Sequence, residues 1–64
     1  MEKYIGRIVD IIYQDRHGKF TKRQISVHSV RDGRVKGFDT AKQSFRVFDI
    51  DRILAVQPVS RHVG

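Results

Sequence analysis

Apolar residues recur at every second position in several short runs of this chain. That is the period of strands with one buried face. In the first run Val9, Ile11 and Tyr13 share a face, and Ile8, Asp10, Ile12 and Gln14 take the other. The isoleucines on the second face mark this strand as central, or as bent between two layers. Gly6 near its start marks a bend or bulge. A second run, Phe20 to Val30, sets Arg23, Ile25 and Val27 opposite Lys22, Gln24, Ser26 and His28. The third run is Arg34 to Asp39. The fourth is Ser44 to Ile50, with Phe45 and Val47 opposite Arg46 and Phe48. The fifth is Ile53 to Gln57, and Pro58 stops it because proline cannot donate to a ladder.

The connections carry turn chemistry. In Asp15-Arg16-His17-Gly18-Lys19, Gly18 takes positive φ cheaply and Asp15 can bond its own following backbone. Arg31-Asp32-Gly33-Arg34 holds Asp-Gly, the strongest short hairpin signal. Thr40 to Gln43 is a polar connection, and Asp49-Ile50-Asp51 is a tight turn or one 3₁₀ turn. No stretch carries a long 3.6-residue stripe. A short helical turn within residues 1–6 is an alternative there, without a cap signal. Five short strands in about 55 residues predict an all-β fold, a small, five-stranded, strongly bent antiparallel barrel. Closing such a sheet would remove most of its exposed edges. One domain is expected over residues 1–64, with its core at about residues 5–58 and a flexible tail over residues 59–64.

Composition then narrows the function. There is no cysteine, which excludes disulfide staples and thiolate metal sites. No apolar run approaches the ~18 residues of a membrane span. Met1-Glu2-Lys3-Tyr4 lacks the apolar stretch of a signal peptide, so a cytoplasmic location is expected. Thirteen Lys and Arg against seven Asp and Glu give a net charge of +6. So strong a field on so small a surface draws nucleic acid, nucleotides or acidic proteins. Arg outnumbers Lys eight to five, and Arg is the better bidentate phosphate ligand.

Catalytic sets do not assemble. His17, His28 and His62 have no metal-ligand spacing. Ser26, His28 and Ser29 do not make a Ser-His pair, because strand neighbours point to opposite faces. Asp49 and Asp51 read better as turn formers or partners of Arg52 than as paired acids. No Gly-rich phosphate loop is present, and no cofactor or metal is implied. A binding protein, not an enzyme, is expected.

The positive features are strand-borne arginines beside apolar neighbours. Arg23, Arg46 and Arg52 either line a polar cleft or form internal ion pairs, as Arg52 could with Asp49 or Asp10. Arg46 lies between Phe45 and Phe48 in the chain, and arginine with aromatics on a sheet clamps single-stranded nucleic acid. With only six aromatics, the domain is expected to keep most of them, including Phe38 and Phe45, in its core. Lys22, Lys36 and His28 complete the candidate ligand contacts, the lysines as solvated rim charges.

Two segments resemble WYL domains. Val9-Asp10-Ile11-Ile12-Tyr13-Gln14-Asp15-Arg16-His17-Gly18, then Thr21-Lys22-Arg23-Gln24-Ile25, is similar to the family's first strand, turn and T-x-R-x-I strand. Phe45-Arg46-Val47-Phe48-Asp49-Ile50-Asp51-Arg52-Ile53 is similar to its R-x-F-x-[LI]-D-R-I segment. Where the naming Trp-Tyr-Leu would fall, the chain has Gly33-Arg34-Val35, and it has no tryptophan. The resemblance implies an SH3-like or Sm-like barrel acting as a sensor in bacterial transcription regulation. It implies single-stranded nucleic acid or a nucleotide-like anion as ligand, with Arg46 and Arg52, then Arg23, at the family's basic positions. No helix-turn-helix accompanies it here, so a standalone module is expected. The competing expectation is a protein-interaction or homo-oligomerisation module without nucleic-acid binding.

Overall fold

A computed structural model of the chain describes residues 1–59. A 3₁₀ turn, Glu2–Tyr4, precedes β1 (Ile8–Gln14), β2 (Phe20–Arg31), β3 (Arg34–Asp39) and β4 (Ser44–Asp49). A second 3₁₀ turn, Ile50–Arg52, leads into β5 (Ile53–Pro58). The expected tail over residues 60–64 lies outside the described residues. Val59 is not free: its N–H donates to the carbonyl of Ile8 at 3.0 Å.

The strands form one antiparallel sheet in the order β4-β3-β2-β1-β5. Flat, such a sheet would hold β4 and β5 about 19 Å apart, four spacings of ~4.8 Å. Yet only Ile50–Arg52 separate them. The four Cα steps from Asp49 to Ile53 reach at most about 14 Å extended, and less as a 3₁₀ turn. The sheet must therefore curl, which makes the fold barrel-like. Closure is not completed by hydrogen bonds, because β4 and β5 remain the two edges of the sheet. The expectation that closure removes the edges is corrected in that respect.

The curl buries one face. Val9 and Ile11 of β1, Ile25 and Val27 of β2, Val35 of β3 and Phe48 of β4 form the buried core. Register follows from the alternation: Val9 pairs with Ile25, and Val35 with Phe48. β1 is an interior strand next to the β5 edge, with β2 at the centre, and Ile8 and Ile12 on its second face are half-buried. Gly37 of β3 is buried where a Cβ would stand 3.1 Å from both Ile25 Cδ1 and the carbonyl of Ser26. Glycine lets β3 approach β2 that closely.

Local chemistry sets the turns. Asp32 and Gly33 have φ of 53° and 72°, with Arg31 paired to Arg34 across them. This is the double positive φ of a two-residue hairpin loop. Asp15 Oδ1 accepts from the N–H groups of His17 and Lys19, and Gly18 takes φ of 79°. Two bulges interrupt the ladders. The β2–β3 register shifts between Val27 and Ser29, leaving His28 as the extra residue. The β1–β5 register shifts between Ile12 and Tyr13, which leaves Leu54 as the extra residue of β5, exposed.

Candidate anion-binding cleft and aromatic platform

The core face changes character along its length. On β2 it runs Thr21, Arg23, Ile25, Val27, and on β4 it runs Arg46, Phe48. Arginine thus replaces aliphatic residues at one end of the barrel. There the β1–β2 turn, β4 and the second 3₁₀ turn enclose a cleft of about 620 Å³. Small-molecule sites typically occupy ~300–1,000 Å³. Arg23, Arg46 and Arg52, the three strongest candidates from sequence, all line it. Arg16, His17 and Tyr13 join them, with Asp15 and Asp49 as the acids. Four arginines face two aspartates in the lining, and Asp39 behind it neutralises Arg23, which leaves an excess of one positive charge.

The three arginines are not equivalent. Arg23 Nη1 donates to Asp39 Oδ2 at 3.0 Å, and its side chain is 24% exposed. The Asp39 carboxylate, 2% exposed, also accepts from the backbone N–H groups of Ala41 and Lys42 at 3.1 Å. It therefore closes the β3–β4 turn as well as holding Arg23. Burial pushes this carboxyl up. The N–H of Lys42, the guanidinium of Arg23 and the N–H of Ala41 outweigh that, and hold it below its ordinary value. Arg23 is thus chiefly half of a structural pair.

Arg46 and Arg52 are held loosely. Arg46 Nε is 3.8 Å from Asp39 Oδ2, and Arg52 Nε is 3.9 Å from Asp49 Oδ2. Both distances exceed hydrogen-bond length. The side chains are 45% and 42% exposed, so their guanidinium forks can turn to an incoming anion. Of the two ion-pair partners considered for Arg52, Asp49 is the observed one. Asp49 also pairs with Arg34 at 3.4 Å. Tyr13 stands edge-on to Phe48, ring centroids 5.0 Å apart, where the cleft meets the core.

The other three candidates lie elsewhere. Lys22 is exposed and pairs in register with Ile12, away from the cleft. His28 and Lys36 belong to a different cluster, on the outer face of β2, β3 and β4. At its centre is Phe45, 51% exposed, which corrects the expectation of a core aromatic. Period two sets Phe45 opposite Phe48, and the curl buries the Phe48 side. Phe38 is half-buried beside it, and Phe20 is exposed. Phe45 makes T-shaped contacts with Phe38 and His28, ring centroids 5.2 and 4.9 Å apart. Lys36 Nζ lies 5.4 Å from its ring centroid. The bulge at His28 re-aims that side chain, a common use of bulges beside sites.

Arg16 and His17 were legible only as turn residues, since nothing local reveals that the curl swings their turn toward β4. No group of three or more His, Asp or Glu side chains that could hold a metal ion occurs among the described residues. No helix among them is long and apolar enough to cross a membrane. Comparison of the chain with protein families and with curated proteins finds no match.

Proposed function

We propose that this domain is a regulatory binding module for an anionic ligand, single-stranded nucleic acid or a nucleotide-like molecule, serving transcription regulation in the cytoplasm. One observation carries this reading: Arg46 and Arg52 converge on one open cleft with their guanidinium groups loosely engaged. Phosphate is the anion that such paired forks bind best. The net charge of +6 supports it by steering anions to the surface. The segments similar to WYL domains, which supply both arginines, support the link to transcription.

Binding needs no chemistry from the cleft. It offers cations, an aromatic edge and two acids, Asp15 engaged with backbone N–H groups and Asp49 paired with Arg34 outside the cleft. The test is titration with a labelled single-stranded oligonucleotide at two salt concentrations. Log affinity should fall with log salt by about 0.7 per phosphate contacted. Absence of binding at low salt by both the oligonucleotide and a mononucleotide would sink the reading.

A second reading, self-association, draws on the exposed Val47 and Leu54 on the edge strands β4 and β5. Sedimentation of the pure protein separates the two. A concentration-independent monomer removes the second reading.

A further inference from the structure

The cleft opens across an unpaired strand edge, and that edge carries an aromatic on its other side. Arg46 and Phe48 point to the core face of β4, while Val47 and Asp49 belong to its outer face, yet all four line the cleft. Arg52, which lines the cleft, lies 3.9 Å from Asp49 Oδ2 on the outer face, so the mouth of the cleft lies at the β4 edge. Phe45 stands two residues from Val47 on that outer face, about 7 Å along the strand. Around it are His28, Phe38 and Lys36.

We infer that single-stranded nucleic acid crosses the β4 edge, with phosphates in the arginine cleft and a base stacked at Phe45. This rests on the anion-binding reading above and selects a polymer over a mononucleotide as the ligand. Three features favour that occupant. The ring is exposed and makes T-shaped contacts with two neighbours, His28 and Phe38. Lys36 Nζ sits over the ring, 5.4 Å from its centroid, and supplies a cation where a phosphate next to the stacked base would pass. An edge strand lets one chain touch both faces of a sheet, which an interior strand cannot. Aromatic platforms beside cationic grooves are how single strands are held without sequence readout.

The experiment compares two probes, thymidine monophosphate and a labelled deoxythymidine oligomer of about ten nucleotides. Phe45→Leu keeps an apolar side chain and removes the ring. It should weaken the oligomer by about 5- to 150-fold, the loss of one stacked base, and weaken the monophosphate less. Phe45→Trp should restore oligomer affinity, and its indole fluorescence should be quenched on binding. Arg46→Gln should weaken both probes. If Phe45→Leu binds the oligomer as wild type does while Arg46→Gln weakens it, the platform is overturned and the cleft stands. If neither probe binds wild-type protein, both fall. If Phe45→Leu instead abolishes self-association of the free protein, the patch belongs to a second copy and the inference is overturned.

Discussion

Arg23 of β2 and Asp39 of β3 form a 3.0 Å pair whose carboxylate is almost wholly buried, and this pair joins the core to the cleft. Removing one partner of a buried pair typically costs about 3–5 kcal/mol. A chain this short has a net stability of roughly 3–10 kcal/mol at ~0.05–0.15 kcal/mol per residue. Asp39→Ala should therefore remove a third or more of that stability, since it also frees the N–H groups of Ala41 and Lys42. Arg23→Leu should cost less, because those two N–H groups still hold the carboxylate. Urea unfolding followed by circular dichroism checks both. Losses below about 0.5 kcal/mol, the range of ordinary surface changes, would show the pair to be incidental.

The same carboxylate predicts an acid limb. Asp39 has a folded pKa below its ordinary 3.8. Its contribution is fully present above the unfolded value and is lost as pH falls through the folded one. Asp15 acts in the same direction, because the N–H of Lys19, opposed by partial desolvation and aided by that of His17, lowers it too. Stability should thus be flat from neutral pH to about 5 and fall below about 4. Asp15→Asn should make that fall shallower, as read by thermal melts across the acid range. An unchanged acid limb would remove the assignment for Asp15.

Arg46 and Arg52 should separate binding from folding. Both ion pairs are long and both arginine side chains are half-exposed, and such contacts contribute about 0–1 kcal/mol. Arg46→Gln and Arg52→Gln should each reduce the salt slope of oligonucleotide binding by about 0.7. The unfolding midpoint should scarcely move. A variant that unfolds instead assigns that arginine to the structure.

Glycine substitutions test the tight approach and the hairpin. Gly33→Ala forces a side chain to φ of 72°, at a cost of about 1–2 kcal/mol. Gly37→Ala sets a Cβ 3.1 Å from Ile25 Cδ1 and the Ser26 carbonyl, and overpacking of this kind costs about 1–3 kcal/mol. Ile25→Val in the Gly37→Ala background should recover part of that loss, measured by a double-mutant cycle in urea.

Much of the fold was legible because its signals are local. Strand alternation at Val9, Ile11, Ile25 and Val27, the Asp32-Gly33 loop and the Asp15 turn each depend on neighbours within a few residues. The two bulges were not legible. His28 and Leu54 sit in unbroken runs, and their extra-residue status depends on the register of partner strands. The pairing of Arg23 with Asp39 was likewise hidden, since sixteen residues separate them.

By itself the sequence determined an all-β chain, its turns, the two faces of β1, of β4 and of β2 up to its bulge, and a positive net charge. Those follow from backbone period, turn dihedrals and charge, which need no knowledge of distant contacts. Which face of β4 is buried was decided only by the tertiary structure, because both faces carry an aromatic and the curl of the sheet chooses Phe48 over Phe45. The curl also brings Arg23, Arg46 and Arg52 to one cleft while Asp39 takes Arg23 out of play. Convergence of residues this far apart is a property of strand order and connector length.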